Sequence, residues 1–111
     1  MTNLTRLYYS SDTEEKKRIE KLYHGWVSSQ PCCVSGQENV GRPHHVRYNQ
    51  YCGTGMKPPD IFELPITNEL HVVAHTKGHK TFEKMHKVSF VYLLIMVHEQ
   101  FMCDYEMGEK V

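Results

Sequence analysis

The chain has 111 residues, of which 40% are hydrophobic and 23% are charged, and its formal net charge is zero. These values predict one globular domain over residues 1–111 with a single core. No membrane span is expected, because the longest apolar run, Phe90 to Val97, is too short to cross a bilayer. Nucleic-acid binding stays open, since a local basic patch can lie on a neutral protein.

The N-terminal segment is polar and lacks the apolar stretch of a signal peptide. We therefore expect a cytoplasmic protein. In that compartment the four cysteines are expected to be free thiols or metal ligands rather than disulfides.

Ser11 and Glu14 have the spacing of a capping box, which predicts that a helix begins there. This helix places apolar residues at helical spacing and so predicts a face that packs on the core: Ile19, Leu22, Tyr23 and Trp26. The Ser-Ser-Gln-Pro stretch at 28–31 is expected to end it.

The rest of the chain predicts an α+β fold, with a hairpin and a helix across it. Residues 32–60 are rich in Gly, Pro and Asn and indicate a loop with one short strand. The predicted elements are a strand at His44–Tyr48, a strand at Ile61–Ile66, a helix capped by Thr67 and stopped at Lys77-Gly78, a short helix at Thr81–Lys87, and a helix capped by Ser89 from Phe90 to about Tyr105. The apolar residues of the last helix form core, or alternatively the face of a homodimer.

Four of the eight histidines fall into two pairs. His44 and His45 are adjacent on the first strand, so their side chains point to opposite faces and have different roles. His71 and His75 are four residues apart, which on a helix places both rings on one face, a common way to hold a metal ion. One histidine of the first pair is expected to join the helical pair at the metal, and the other to stand beside it as a base.

This arrangement suits phosphodiester hydrolysis. A metal can neutralise the phosphate and stabilise the leaving oxygen, while a neutral histidine takes a proton from water. A further group must orient that histidine, and Asp60 is the best candidate because it directly precedes the second predicted strand. Each of these candidate residues has a simpler alternative role: the histidines can line a surface, and Asp60 can cap a turn. Arg42, Arg47 and Lys57 flank the site and are candidates for phosphate contacts or simply solvated charges.

Five short motifs follow one another in the central half of the chain: Pro31-Cys32-Cys33, Pro43-His44-His45-Val46, the glycine-rich stretch from Gly53 to Asp60, Leu64-Pro65-Ile66, and His71-Val72-Val73-Ala74-His75. With these residues the chain resembles the HNH (ββα-metal) endonuclease superfamily, and most closely the phage and prophage HNH proteins of the Ref-like type. The resemblance implies a ββα-metal core at about residues 31–79, with an added N-terminal helix and C-terminal helices.

The same resemblance implies an enzyme that hydrolyses DNA, is encoded by a phage, and acts in the host cytoplasm. It implies one divalent metal ion (Zn²⁺, Ni²⁺, Mn²⁺ or Mg²⁺) held by His44, His71 and His75, with His45 as the general base.

The chain departs from the family pattern in its cysteines. Members often carry two cysteine pairs, whereas here Cys32 is followed at the pair's second position by Ser35, and the later positions hold Thr67 and Leu70. A four-cysteine structural zinc site therefore cannot be built. The orienting Asn of HNH motifs also has no obvious counterpart, and Asp60 replaces it as a hypothesis. The missing cysteine site and the neutral net charge favour an alternative, a catalytically weak HNH-fold protein that binds DNA or a host or phage protein, whereas the intact histidine set favours the nuclease.

Overall fold

The computed structural model describes residues 2–38, 43–46 and 59–105. Two helices occupy the N-terminal part, α1 at Asn3–Ser10 and α2 at Thr13–Ser28. Two short strands follow, β1 at Pro43–His45 and β2 at Glu63–Pro65, with a 3₁₀ turn at Asp60–Phe62 directly before β2. The C-terminal part holds α3 at Asn68–Lys77, α4 at His79–His86 and α5 at Phe90–Asp104.

The N-terminal region contains one helix more than the sequence predicted. Helix α1 is capped by the Thr2 hydroxyl, which accepts a hydrogen bond from the Thr5 backbone N–H. The cap of α2 is Asp12 rather than Ser11, because the Asp12 carboxylate accepts from the Glu15 N–H. The Ser11 hydroxyl instead donates to the Leu7 carbonyl at the end of α1, at 2.6 Å. The predicted capping box is therefore wrong by one residue.

The two strands pair antiparallel, with His44 opposite Leu64 and His45 opposite Glu63. Both are shorter than predicted. The second predicted strand began at Ile61, but residues 60–62 form a 3₁₀ turn that buries Ile61 and Phe62. The first was predicted to run to Tyr48. The Val46 N–H continues the pairing by donating to the Phe62 carbonyl at 2.9 Å, and positions 47 and 48 lie outside the described residues.

The C-terminal helices follow the predicted capping pattern more closely. Thr67 and Ser89 cap α3 and α5 through their side-chain oxygens, as predicted. Helix α3 ends at Gly78, whose φ of 87° and ψ of 156° lie in a region open to few residues other than glycine. Helix α4 begins directly after it at His79, two residues earlier than predicted.

The core lies between α2, α5 and the hairpin. Tyr23 and Trp26 of α2 pack against Phe101 of α5, with ring centroids 5.1 Å and 5.4 Å from that of Phe101. The Tyr23 hydroxyl donates to the Glu63 carbonyl at 2.6 Å and so ties α2 to β2. The molecule is thus a mixed α+β structure, largely helical, with a two-stranded antiparallel sheet in its described part.

Helix α5 is apolar on more than its core side. Four large side chains of this helix are exposed: Val91, Tyr92, Ile95 and Met96. The predicted homodimer therefore has an apolar surface available to it, and the dimer itself stays a prediction. Among the described helices, none has the length and apolar character needed to cross a bilayer.

Candidate metal centre

The structure brings together the three histidines predicted as metal ligands. His44, His71 and His75 each offer a ring nitrogen, and these three atoms all lie within 4.8 Å of one another. The His44 ring centroid is 4.6 Å from that of His71 and 5.3 Å from that of His75. One divalent ion can therefore be reached by all three imidazoles after small side-chain movements.

The hairpin and α3 place these rings. His71 and His75 are one helical turn apart on α3, and their rings stack with centroids 4.7 Å apart. His44 reaches them from β1, where it is 1% exposed. Phe90, the first residue of α5, lies beneath the group, with its ring centroid 6.0 Å from that of His44.

The state of His44 is suited to a metal ligand. Burial, and to a smaller extent the neighbouring histidines His71, His79 and His75, together lower the pKa of His44 to about 3. The ring is therefore neutral at neutral pH, as metal binding requires. Three imidazole nitrogens grouped within 4.8 Å are donors that transition-metal ions prefer, so the site fits a metal ion.

His45 faces the opposite side of β1, as predicted, and its surroundings are acidic. His45 Nε2 lies 3.0 Å from Asp60 Oδ1 and 3.7 Å from Glu63 Oε2. Its side chain is 25% exposed, so water can reach it. The predicted pairing of His45 with Asp60 is thus present as a hydrogen bond.

Two further residues near His45, Glu63 and His24, were not predicted from the sequence. Glu63 is 2% exposed, and its carboxylate accepts from His24 Nδ1 at 2.9 Å. Burial raises the pKa of Glu63, and the Asp60 carboxylate adds to this rise, while the hydrogen bond from His24 opposes it. Ligand atoms of His24, Asp60 and Glu63 also lie within 4.8 Å of one another. The antiparallel register places Glu63 directly opposite His45, and residues directly opposite each other share a face of the sheet. This explains why the Glu63 carboxylate lies near the His45 ring.

His79 is outside the two histidine pairs seen in the sequence, yet in the structure it contacts one of their members. Its Nε2 lies 3.0 Å from His44 Nε2, and the two ring centroids are 5.1 Å apart. The signal was its spacing of four residues from His75, the same as between His71 and His75. Gly78 breaks the helix between them, so helical geometry did not predict the contact.

The predicted phosphate-contacting residues Arg42, Arg47 and Lys57 all lie outside the described residues. In the part of the chain that is described, neither group of potential ligands includes a cysteine. Cys32 is buried, and its Sγ accepts from the Ser35 N–H at 3.4 Å.

Residues 9–103 match a family described as "Protein of unknown function (DUF968)". No curated protein and no solved structure matches the chain.

Proposed function

The chain belongs to the DUF968 family, and we propose that it is a metal-dependent endonuclease with an HNH-type (ββα-metal) core that hydrolyses phosphodiester bonds of DNA. The observation that supports this most is the separation of two histidine environments across one strand. His44 faces other histidines, and the adjacent His45 faces carboxylates. A hydrolase that combines a metal ion with a separate general base has both environments side by side.

The donor set favours a transition metal. His44, His71 and His75 offer three imidazole nitrogens and no carboxylate, which suits Zn²⁺ or Ni²⁺ better than Mg²⁺. When bound, the metal supplies charge neutralisation at the phosphate and at the departing 3′ oxygen. The low pKa of His44, which keeps its ring neutral, supports this role.

His45 has the surroundings of a general base. Its Nε2–H donates to the Asp60 carboxylate, which fixes the ring and leaves Nδ1 with a free lone pair. That nitrogen takes the proton of a water molecule as its oxygen attacks the phosphorus. The carboxylates of Asp60 and Glu63 then stabilise the imidazolium that forms. Arg42, Arg47 and Lys57 are proposed to hold the DNA backbone, because they flank this site in sequence.

A plasmid-nicking assay tests the proposal. The parent protein is freed of metal and supplied with Zn²⁺, Ni²⁺, Mn²⁺ or Mg²⁺, and conversion of supercoiled to open-circular DNA is followed with time. We expect nicking with at least one transition metal and loss of nicking with EDTA. His71→Ala should weaken metal binding by more than the roughly 100-fold that an outer-shell change costs.

His86→Gln is the matched control, since it removes a histidine from the far end of α4. This variant should bind metal and nick like the parent. If the parent binds metal but cuts no DNA under any of these conditions, the nuclease proposal is wrong. The alternative, an HNH-fold protein that binds DNA or a host or phage protein without cutting, then takes its place.

A further inference from the structure

The position of His79 depends on an abrupt change of chain direction. Helix α3 stops at Gly78, where the backbone has a φ of 87°, and α4 begins at the next residue. His79 therefore stands at the junction of the two helices. Its half-buried ring packs on Phe90 with centroids 4.7 Å apart, next to the ring of His44.

The contact between His79 and His44 has the dimensions of two ligands on one ion. Their Nε2 atoms are 3.0 Å apart. Two nitrogens bound tetrahedrally at the usual zinc distance are about 3.3 Å apart. His79 belongs to α4, so it reaches His44 from an element that supplies none of the other three histidines.

We propose that His79 is a fourth protein ligand, so that the metal centre consists of His44, His71, His75 and His79. This inference rests on the metal site of the proposed function and adds to it. Four protein ligands close a tetrahedral site, whereas hydrolytic sites keep one position open. His79 therefore holds the centre in a closed state and competes with a phosphate oxygen for the fourth position.

Cobalt provides a direct readout, because the visible absorption of Co²⁺ depends on the number and type of its ligands. The parent, His79→Gln and His79→Cys are titrated with Co²⁺, after circular dichroism has shown that each is folded. We expect His79→Gln to bind Co²⁺ roughly 10-fold or more weaker and to show a changed visible spectrum. Azide should alter the spectrum of this variant and leave that of the parent unchanged.

The His79→Cys variant adds a new spectroscopic signal, which appears only if the side chain at position 79 reaches the ion. A thiolate at position 79 that reaches the ion gives a sulfur-to-cobalt charge-transfer band in the near ultraviolet. His86→Cys is the control and should give no such band, because seven residues of helix, about 10 Å, separate it from position 79. At saturating metal, His79→Gln should also nick plasmid faster than the parent, since the fourth position is open.

The outcomes separate the two proposals. If His79→Gln and the parent share one affinity and one spectrum while His71→Ala loses the ion, His79 is only a hydrogen-bond partner of His44. This inference is then overturned and the three-histidine centre stands. If the parent itself binds no Co²⁺, Zn²⁺ or Ni²⁺ at micromolar concentration, the metal centre and the inference both fail.

Discussion

Adjacent residues of β1 have very different surroundings. His44 is buried among other histidines, whereas His45 is partly exposed and bonded to Asp60. Strand geometry accounts for this, since successive side chains point to opposite faces. The sequence alone was therefore sufficient to predict that the two rings have separate environments, and the resemblance indicated which was which.

This separation predicts that metal binding and turnover can be uncoupled. His45→Ala should leave metal affinity close to that of the parent and lower the nicking rate by about 10²-fold or more, the usual loss for a general base. Asp60→Asn should keep the metal and lose less activity, because the ring remains but is held less well. Metal titration and nicking of the variants side by side check this. If His45→Ala loses the metal and His44→Ala retains it, the roles are reversed.

His98 predicts a specific dependence of stability on pH. Its Nδ1 accepts from the Thr2 hydroxyl and its Nε2–H donates to the Ile61 carbonyl, so the neutral ring is fully bonded. Burial lowers the pKa of His98 to about 4, although the hydrogen bond to Ile61 opposes this. In the unfolded chain the pKa is about 6.5. Its stabilising contribution is therefore complete above pH 6.5 and is lost as the pH falls towards 4.

The expected loss from His98 is about 3 kcal/mol of unfolding free energy by pH 4. Urea unfolding of the parent and His98→Gln at pH 7 and pH 4 measures it. The variant should be less stable than the parent at pH 7 but should lose about 3 kcal/mol less on acidification. Equal losses in both proteins would show that His98 does not carry this dependence.

At the scale of elements, local capping signals were the most reliable guide. Thr67 and Ser89 cap their helices as predicted, because a cap needs only a hydroxyl and an N–H three residues later. Short elements were predicted less well. Helix α1 buries only three residues, Leu4, Thr5 and Tyr8, and its position depends on contacts with distant parts of the chain. The 3₁₀ turn at 60–62 shows the same limit, because its apolar residues also fit a strand.

Substitution by alanine should have opposite effects on stability at two glycines, Gly78 between α3 and α4 and Gly25 within α2. Gly78→Ala should lower the unfolding free energy by about 1–3 kcal/mol, because alanine is strained at this backbone conformation. Gly25→Ala, in the interior of α2, should raise it by up to about 1 kcal/mol. A Cβ at either position meets open space, so sterics do not obscure the comparison. Thermal or urea unfolding measures both, and a neutral Gly78→Ala would contradict the argument.

At the scale of the whole molecule, contacts between distant residues were beyond sequence reasoning. His24 and Glu63 are 39 positions apart, and His44 and His79 are 35 apart. No periodicity links such residues, because their meeting depends on how α2, the hairpin and α4 pack. The three histidines predicted as ligands could be grouped from the sequence because two lie within one helical turn and the third belongs to a pair of adjacent histidines. The residues that surround these histidines could be identified only from the structure.

The size of the core predicts that chelation leaves the protein folded. The main hydrophobic cluster draws mostly on α1, α2, the hairpin, α4 and α5, with Ala74 as the buried contribution of α3, and it includes none of the histidines. EDTA should therefore leave the far-ultraviolet circular dichroism unchanged, unlike that of a zinc finger. Added Zn²⁺ at 100 times its Kd should stabilise the fold by about 2.7 kcal/mol. Loss of helical signal in EDTA would show that the metal centre is needed for folding.

Trp26 is the single tryptophan of the chain, and it lies where α2 meets α5. Its indole N–H donates to Asp104 at 2.7 Å, and its ring is 8% exposed. Phe101, which it touches, is about 16 Å along α5 from Phe90 beneath the histidines. Its fluorescence emission therefore reports solvent entry between α2 and α5, so the molecule contains an intrinsic optical probe of its core, placed away from the candidate metal centre.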